Sequence, residues 1–142
     1  MKNTIFAVKG KANIGKTPTI KYIYALLKEK YPNAVINEII LLTDIKIIIT
    51  IEDILIGIES EGDPNGRLEE SLNYFIKNNC NIIICGARTR GMTNDWIKKY
   101  SNNFEIKWIK KTISETKTDE DKDNKNQAIE IVKRIELLLK SA

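Results

Sequence analysis

Gly10, Gly15, Lys16 and Thr17 stand at the fixed spacing G-x-x-x-x-G-K-T, close to the start of the chain. No other stretch restricts the fold as strongly, because of what flanks it. Thr4 to Val8 is short, apolar and followed by Gly10, which predicts a buried strand. Beyond the glycines, Ile20, Ile23, Tyr24 and Leu27 recur at helical spacing. Pro18 falls in the first turn of that helix, where a missing N–H costs little. Pro32 and Asn33 in "KYPNA" end it. The chain therefore opens as strand, glycine loop, helix.

The later segments continue the alternation. "IKIIITIED" and "ILIGIES" are β-rich runs split by Glu52 and Asp53, and read as neighbouring strands in an antiparallel hairpin. "AVINEIILL" before them fits a strand or a short helix. "EGDPNG" is a dense turn signal. Leu68, Leu72, Phe75 and Ile76 follow at helical spacing, then "NIIIC" as a short buried strand and "GARTRGMT" as a second glycine-bracketed loop. Thr93 is placed to cap a short helix carrying Trp96, Ile97 and Tyr100. "FEIKWIKK" alternates like a strand. "SETKTDEDKDNKNQ" has no apolar residue and reads as a mobile linker over 116–126. A helix over 127–140 follows, with Ala128, Val132, Ile135 and Leu139 on one face. The pattern predicts one α/β domain over 1–142 in three layers. Its sheet would be mostly parallel, of about five strands with an antiparallel hairpin, and helices would cover both faces. Ligands bind such sheets at the carboxyl ends of the strands.

Bulk properties narrow the function. The 142 residues include no histidine, which removes imidazole metal sites and Ser-His or Cys-His catalysis. Cys80 and Cys85 suggest neither a metal pair nor a disulfide scaffold. No run of eighteen apolar residues is present, so no transmembrane segment is expected. The opening apolar run is too short for a signal peptide, and a cytoplasmic protein is expected. The net charge of +4 suits anionic ligands such as nucleotides but is too small to argue for nucleic acid. Between Gly86 and Lys111 seven basic residues lie among Trp96, Tyr100 and Trp108, but those aromatics fall at core-like spacing.

The glycine loop has a chemical rationale. A triphosphate is a dense anion and needs many N–H donors with no side chains in the way. Gly10 and Gly15 let the segment Gly10, Lys11, Ala12, Asn13, Ile14, Gly15 wrap closely around a phosphate. The helix beginning at Lys16, Thr17 and Pro18 presents its positive end to the same group. Lys16 is a point charge suited to the β- and γ-phosphates, and Thr17 offers a hydroxyl to Mg²⁺.

"GKANIGKT" resembles the Walker A motif of the P-loop NTPases, which Gly10, Gly15, Lys16 and Thr17 match position for position. The resemblance implies a P-loop NTPase-like fold with ATP and Mg²⁺ as ligands. It also implies an acid at a strand end that holds the metal's water shell. Asp63 and Glu59 are the nearest candidates, and Asp53 is a third. Arg88 and Arg90, in the second glycine loop, would stabilise charge on a transferring phosphate. Lys11 stands four residues before Gly15, as a signature lysine does in the ParA- and MinD-like branch. That branch's glycine pair is replaced here by Ala12 and Asn13. GTP-binding members usually carry N-K-x-D at a strand end, and no such sequence occurs. The expectation is thus an Mg-ATP-binding NTPase or small phosphotransferase acting on the γ-phosphate. The alternative is a ParA/MinD-like nucleotide-dependent switch that turns over slowly or not at all. A protein partner or second substrate is left open, and a homodimer is compatible with the switch reading.

Overall fold

β1 (Thr4–Lys9) is buried from Thr4 to Val8, as a central strand covered on both faces must be. The computed structural model describes residues 1–113 and 115–142. After β1 come α1 (Lys16–Lys30), β2 (Val35–Leu41), β3 (Ile45–Ile51), β4 (Ile54–Glu59) and α2 (Leu68–Lys77). Then follow β5 (Ile82–Ala87), α3 (Met92–Lys98), β6 (Glu105–Lys110) and α4 (Lys117–Lys140). The strands form one sheet in the order β2-β3-β4-β5-β1-β6.

Alternation along the strands divides the core. Ile56 and Ile58 of β4 join Ile20, Ile23 and Leu27 of α1 and Ile131, Val132 and Ile135 of α4 on one face. Ile5, Ile83 and Cys85 join Leu68, Leu72 and Phe75 of α2 and Ile97 of α3 on the other. Each fully buried isoleucine contributes roughly 2 kcal/mol by leaving water. Trp96, Tyr100 and Trp108 pack against the second cluster and do not form a free stacking face.

The expectation of a mostly parallel, P-loop NTPase-like sheet of about five strands is corrected here. The sheet has six strands among the described residues and is mixed. β4, β5, β1 and β6 pair in parallel, while β2-β3 and β3-β4 are antiparallel. It therefore only partly resembles the sheet of those proteins. The connections are too short for anything else. Two residues separate β3 from β4 and three separate β2 from β3, whereas a parallel crossover needs about a dozen.

Two smaller expectations also change. The segment 116–126, read as a linker, is helical from Lys117 onward as the first half of α4. Thr93 lies inside α3, whose N-cap is Gly91, and its hydroxyl accepts the Arg88 N–H at 3.0 Å. No helix among the described residues is long and apolar enough to cross a membrane.

Candidate phosphate-binding site

Three parallel strands, β4, β5 and β1, end at one edge of the sheet, and the glycine loop leaves β1 there. Gly10 N–H donates to Ala87 O at 3.0 Å, fixing the loop's start against the end of β5. Asn13 (φ 61°) and Gly15 (φ 98°) both adopt left-handed backbone. Two such residues so close together curl the chain into a concavity of N–H groups, a geometry that favours anions. At Gly15 only glycine fits for a second reason: a Cβ would lie 2.5 Å from Asn124 Oδ1. The 15-residue α1 starts at the next residue, with no acid in its first turn, so its positive end faces the loop uncompensated.

Lys16 is buried, and its ammonium donates to Gly10 O at 2.7 Å and Ala87 O at 3.0 Å. Burial pulls its pKa below the usual lysine value; Asp63 raises it, Arg88 lowers it further, and Glu61 raises it. Thr17 Oγ1 donates to Asp44 Oδ1 at 3.0 Å and lies 3.4 Å from Ser60 O. Ser60 Oγ donates to the same Asp44 oxygen at 2.8 Å and accepts from Ile45 N–H at 2.8 Å.

The candidate acids separate by face. On β4 the even positions Ile56 and Ile58 face α1, and Ser60 continues that parity toward Thr17. Glu59 is odd and turns to α2. There it is fully buried and accepts from Arg67 Nε at 2.8 Å, Arg67 Nη2 at 3.0 Å and Ser71 Oγ at 2.6 Å. It braces α2 and does not reach the loop. Asp63 lines the cleft and accepts from Arg88 Nε at 2.8 Å. Glu61 lines it too, and accepts the N–H groups of Asp63 and Arg67, each at 2.6 Å. A Cβ on Gly62 would come within 2.7 Å of Gly86 Cα, so this loop lies directly on the end of β5. Arg90 is exposed, and neither it, nor Arg88, nor Lys11 is among the cleft-lining residues. Asp53, in the β3–β4 turn, lies at the opposite end of the sheet.

Together these elements border a cleft of about 820 Å³, lined by Asn13, Gly15, Lys16, Thr17, Asp44, Ser60 and Asp63 among others. Asp44 was not foreseen from the sequence. Lys111, also unforeseen, is buried beside Gly10, its ammonium on Thr112 O at 2.7 Å. Burial lowers its pKa against the pull of Asp123 and Glu120.

The donor set fits a polyphosphate with a magnesium ion. Loop amides, a helix N-terminus and Lys16 are anion donors, and Thr17 with Asp44 supplies hard oxygens for Mg²⁺. No cluster of three or more His, Cys, Asp or Glu that could hold a metal by itself exists among the described residues. The ion would therefore share its shell with phosphate oxygens and water. No protein-family model matches the chain, and neither curated proteins nor solved structures give a match.

Proposed function

We propose that the chain binds Mg-ATP through residues 10–17 and acts on its γ-phosphate, as a hydrolase or small phosphotransferase. One observation carries the reading. The Lys16 ammonium and the Thr17 hydroxyl sit at the head of one helix, with the Asp44 carboxylate 3.0 Å from that hydroxyl. Lys16 would leave its two carbonyls for the β- and γ-phosphates. Thr17 and Asp44 would hold the magnesium, which neutralises phosphate charge when bound. Arg88, paired with the cleft-lining Asp63, would have to turn inward from that contact to meet charge growing on the γ-phosphate. The missing N-K-x-D sequence favours ATP over GTP. Buried, unpaired Cys80 and Cys85 fit the reducing cytoplasm.

A second reading has its own support. Asp44, Glu61 and Asp63, the carboxylates nearest the phosphate loop, are each already hydrogen-bonded, so none of these three stands idle as a base. Slow turnover, with binding itself as the signal, follows from that. Calorimetry with Mg-ATP on wild type and Lys16→Ala tests the shared core of both readings. The wild type should bind and the variant should lose roughly a hundred-fold, the worth of a charge-assisted contact. Equal binding by the two proteins defeats the assignment. Turnover measured on the same samples separates enzyme from switch.

A further inference from the structure

The cleft does not stop at the phosphate loop. Pro18, Lys21, Tyr22 and Ala25 all line it, and their spacing makes them one stripe along α1. From Pro18 to Ala25 the stripe runs about 10 Å, at the 1.5 Å rise of a helix, which is the length of a nucleoside. Across from it stand Glu120 and Asp121 of α4, which line the same cleft. The Tyr22 hydroxyl donates to Asp121 Oδ1, so the two helices are already joined over this extension.

The position of α4 against the loop is fixed independently. Gln127 donates to Lys110 O at 2.8 Å and accepts the Thr112 N–H at 3.2 Å. Asn124, one turn beyond Glu120 and Asp121, is only 3% exposed and lies against Gly15. Its Oδ1 is buried with no hydrogen-bond partner. Asn124 thus seats α4 on the phosphate loop and sets Glu120 and Asp121, one turn earlier, on the wall of the cleft.

We infer that the α1–α4 end of the cleft is the nucleoside subsite, with Tyr22 and Asp121 as specificity residues. This deepens the phosphate reading above and rests on it. The Tyr22 ring offers an apolar flank for a planar base. The Asp121 oxygen not bonded to Tyr22, and the Glu120 carboxylate, are acceptors only. They select a ligand that presents hydrogen-bond donors at this distance from its phosphates. A ribonucleoside does so through its ribose hydroxyls or through an exocyclic amino group on the base. An inorganic polyphosphate presents none.

The test compares Mg-ATP with Mg-tripolyphosphate on wild type and Asp121→Asn. Asp121 is exposed, so the variant should fold. The amide keeps an acceptor for Tyr22 but turns a donor toward the ligand's own donor. Wild type should bind ATP more tightly than tripolyphosphate. Asp121→Asn should lose about ten- to hundred-fold in ATP affinity and nothing for tripolyphosphate. 2′-Deoxy-ATP binding more weakly than ATP assigns the donor to the ribose. Purine riboside triphosphate binding more weakly assigns it to the amino group. Equal affinity for ATP and tripolyphosphate, or an unchanged ATP affinity in Asp121→Asn, overturns the subsite while leaving the phosphate loop standing. If wild type binds neither ligand, the phosphate reading fails and the subsite with it.

Discussion

Asp44 accepts from the hydroxyls of Thr17 at 3.0 Å and Ser60 at 2.8 Å, and it is half-buried beside the cleft. Glu59, one residue from Ser60, carries the same chemical group but spends it on Arg67 and Ser71. Their substitutions should therefore part company. Asp44→Asn keeps an acceptor for both hydroxyls, so urea unfolding should shift by less than about 1 kcal/mol. It should erase most of the gain that Mg²⁺ brings to ATP binding. Glu59→Gln strips a buried carboxylate from its arginine. It should cost about 2 kcal/mol, below the usual range for a fully buried pair because the Arg67 side chain is 26% exposed. Its Mg²⁺ dependence should survive. Urea titration and ATP titration with and without Mg²⁺ read both variants, and the opposite pattern would exchange the two roles. Part of this was legible in the sequence. The loop residues declare themselves by spacing, and strand parity alone would have sent Glu59 to the far face and Ser60 to the near one. Asp44 carries no such signal, since a lone acid in a turn is common and its neighbour Thr17 is 27 residues away.

The first half of α4 has the composition of a linker because it lacks any apolar residue, and a helix needs a reason to hold one face down. Its reason is polar. Asn124 lies on Gly15, Gln127 bridges Lys110 and Thr112, and Asp121 receives Tyr22. The apolar stripe that periodicity does detect, Ala128, Val132, Ile135 and Leu139, begins only where the helix reaches the α1 face of the core, and Ile131 is buried with it there. Periodicity found the element and missed ten residues of it at the end that matters for the site. The same packing makes the loop sensitive to charge on α4. Asn124→Asp would place a carboxylate against Gly15, where the loop amides and the α1 N-terminus attract anions. Because Asn124 Oδ1 is buried without a hydrogen-bond partner, the variant should lose roughly 2–3 kcal/mol of stability, and its carboxylate should compete with the phosphates. Mg-ATP affinity should fall at least about ten-fold, given that two like charges 5–6 Å apart repel by roughly 3 kcal/mol at an effective dielectric near 20. Unchanged affinity in a folded Asn124→Asp protein would show that α4 does not bear on the loop.

Seen across the molecule, the antiparallel meander and the site are one fact. β3 runs against both its neighbours, so β2 points the same way as β4. The turn from Leu42 to Asp44 consequently lands at the edge where β4, β5 and β1 end, and Lys21 Nζ ties to it through Thr43 O at 3.2 Å. A sheet of parallel strands joined by helices would have no short turn in that place. The sequence announces the hairpin of β3 and β4 through its split apolar runs. It does not announce β2, whose "AVINEIILL" suits either conformation, and so the part of the sheet that delivers Asp44 stayed hidden. The cleft thus joins four segments far apart in the chain: the phosphate loop with α1, the β2–β3 turn, residues 60–63, and α4. A ligand seated there binds the native arrangement and not the unfolded chain, so its binding energy adds to global stability. At a hundred times its dissociation constant that addition is about 2.7 kcal/mol. For a 142-residue domain it corresponds to about 9 °C in Tm. Thermal unfolding with Mg-ATP should show that rise in wild type, a smaller one with ATP and chelator, and only about 1 °C in Lys16→Ala. A full rise that persists in Lys16→Ala would locate the stabilising nucleotide away from the glycine loop, because no other cleft residue can take over a buried ammonium held between the ends of β1 and β5.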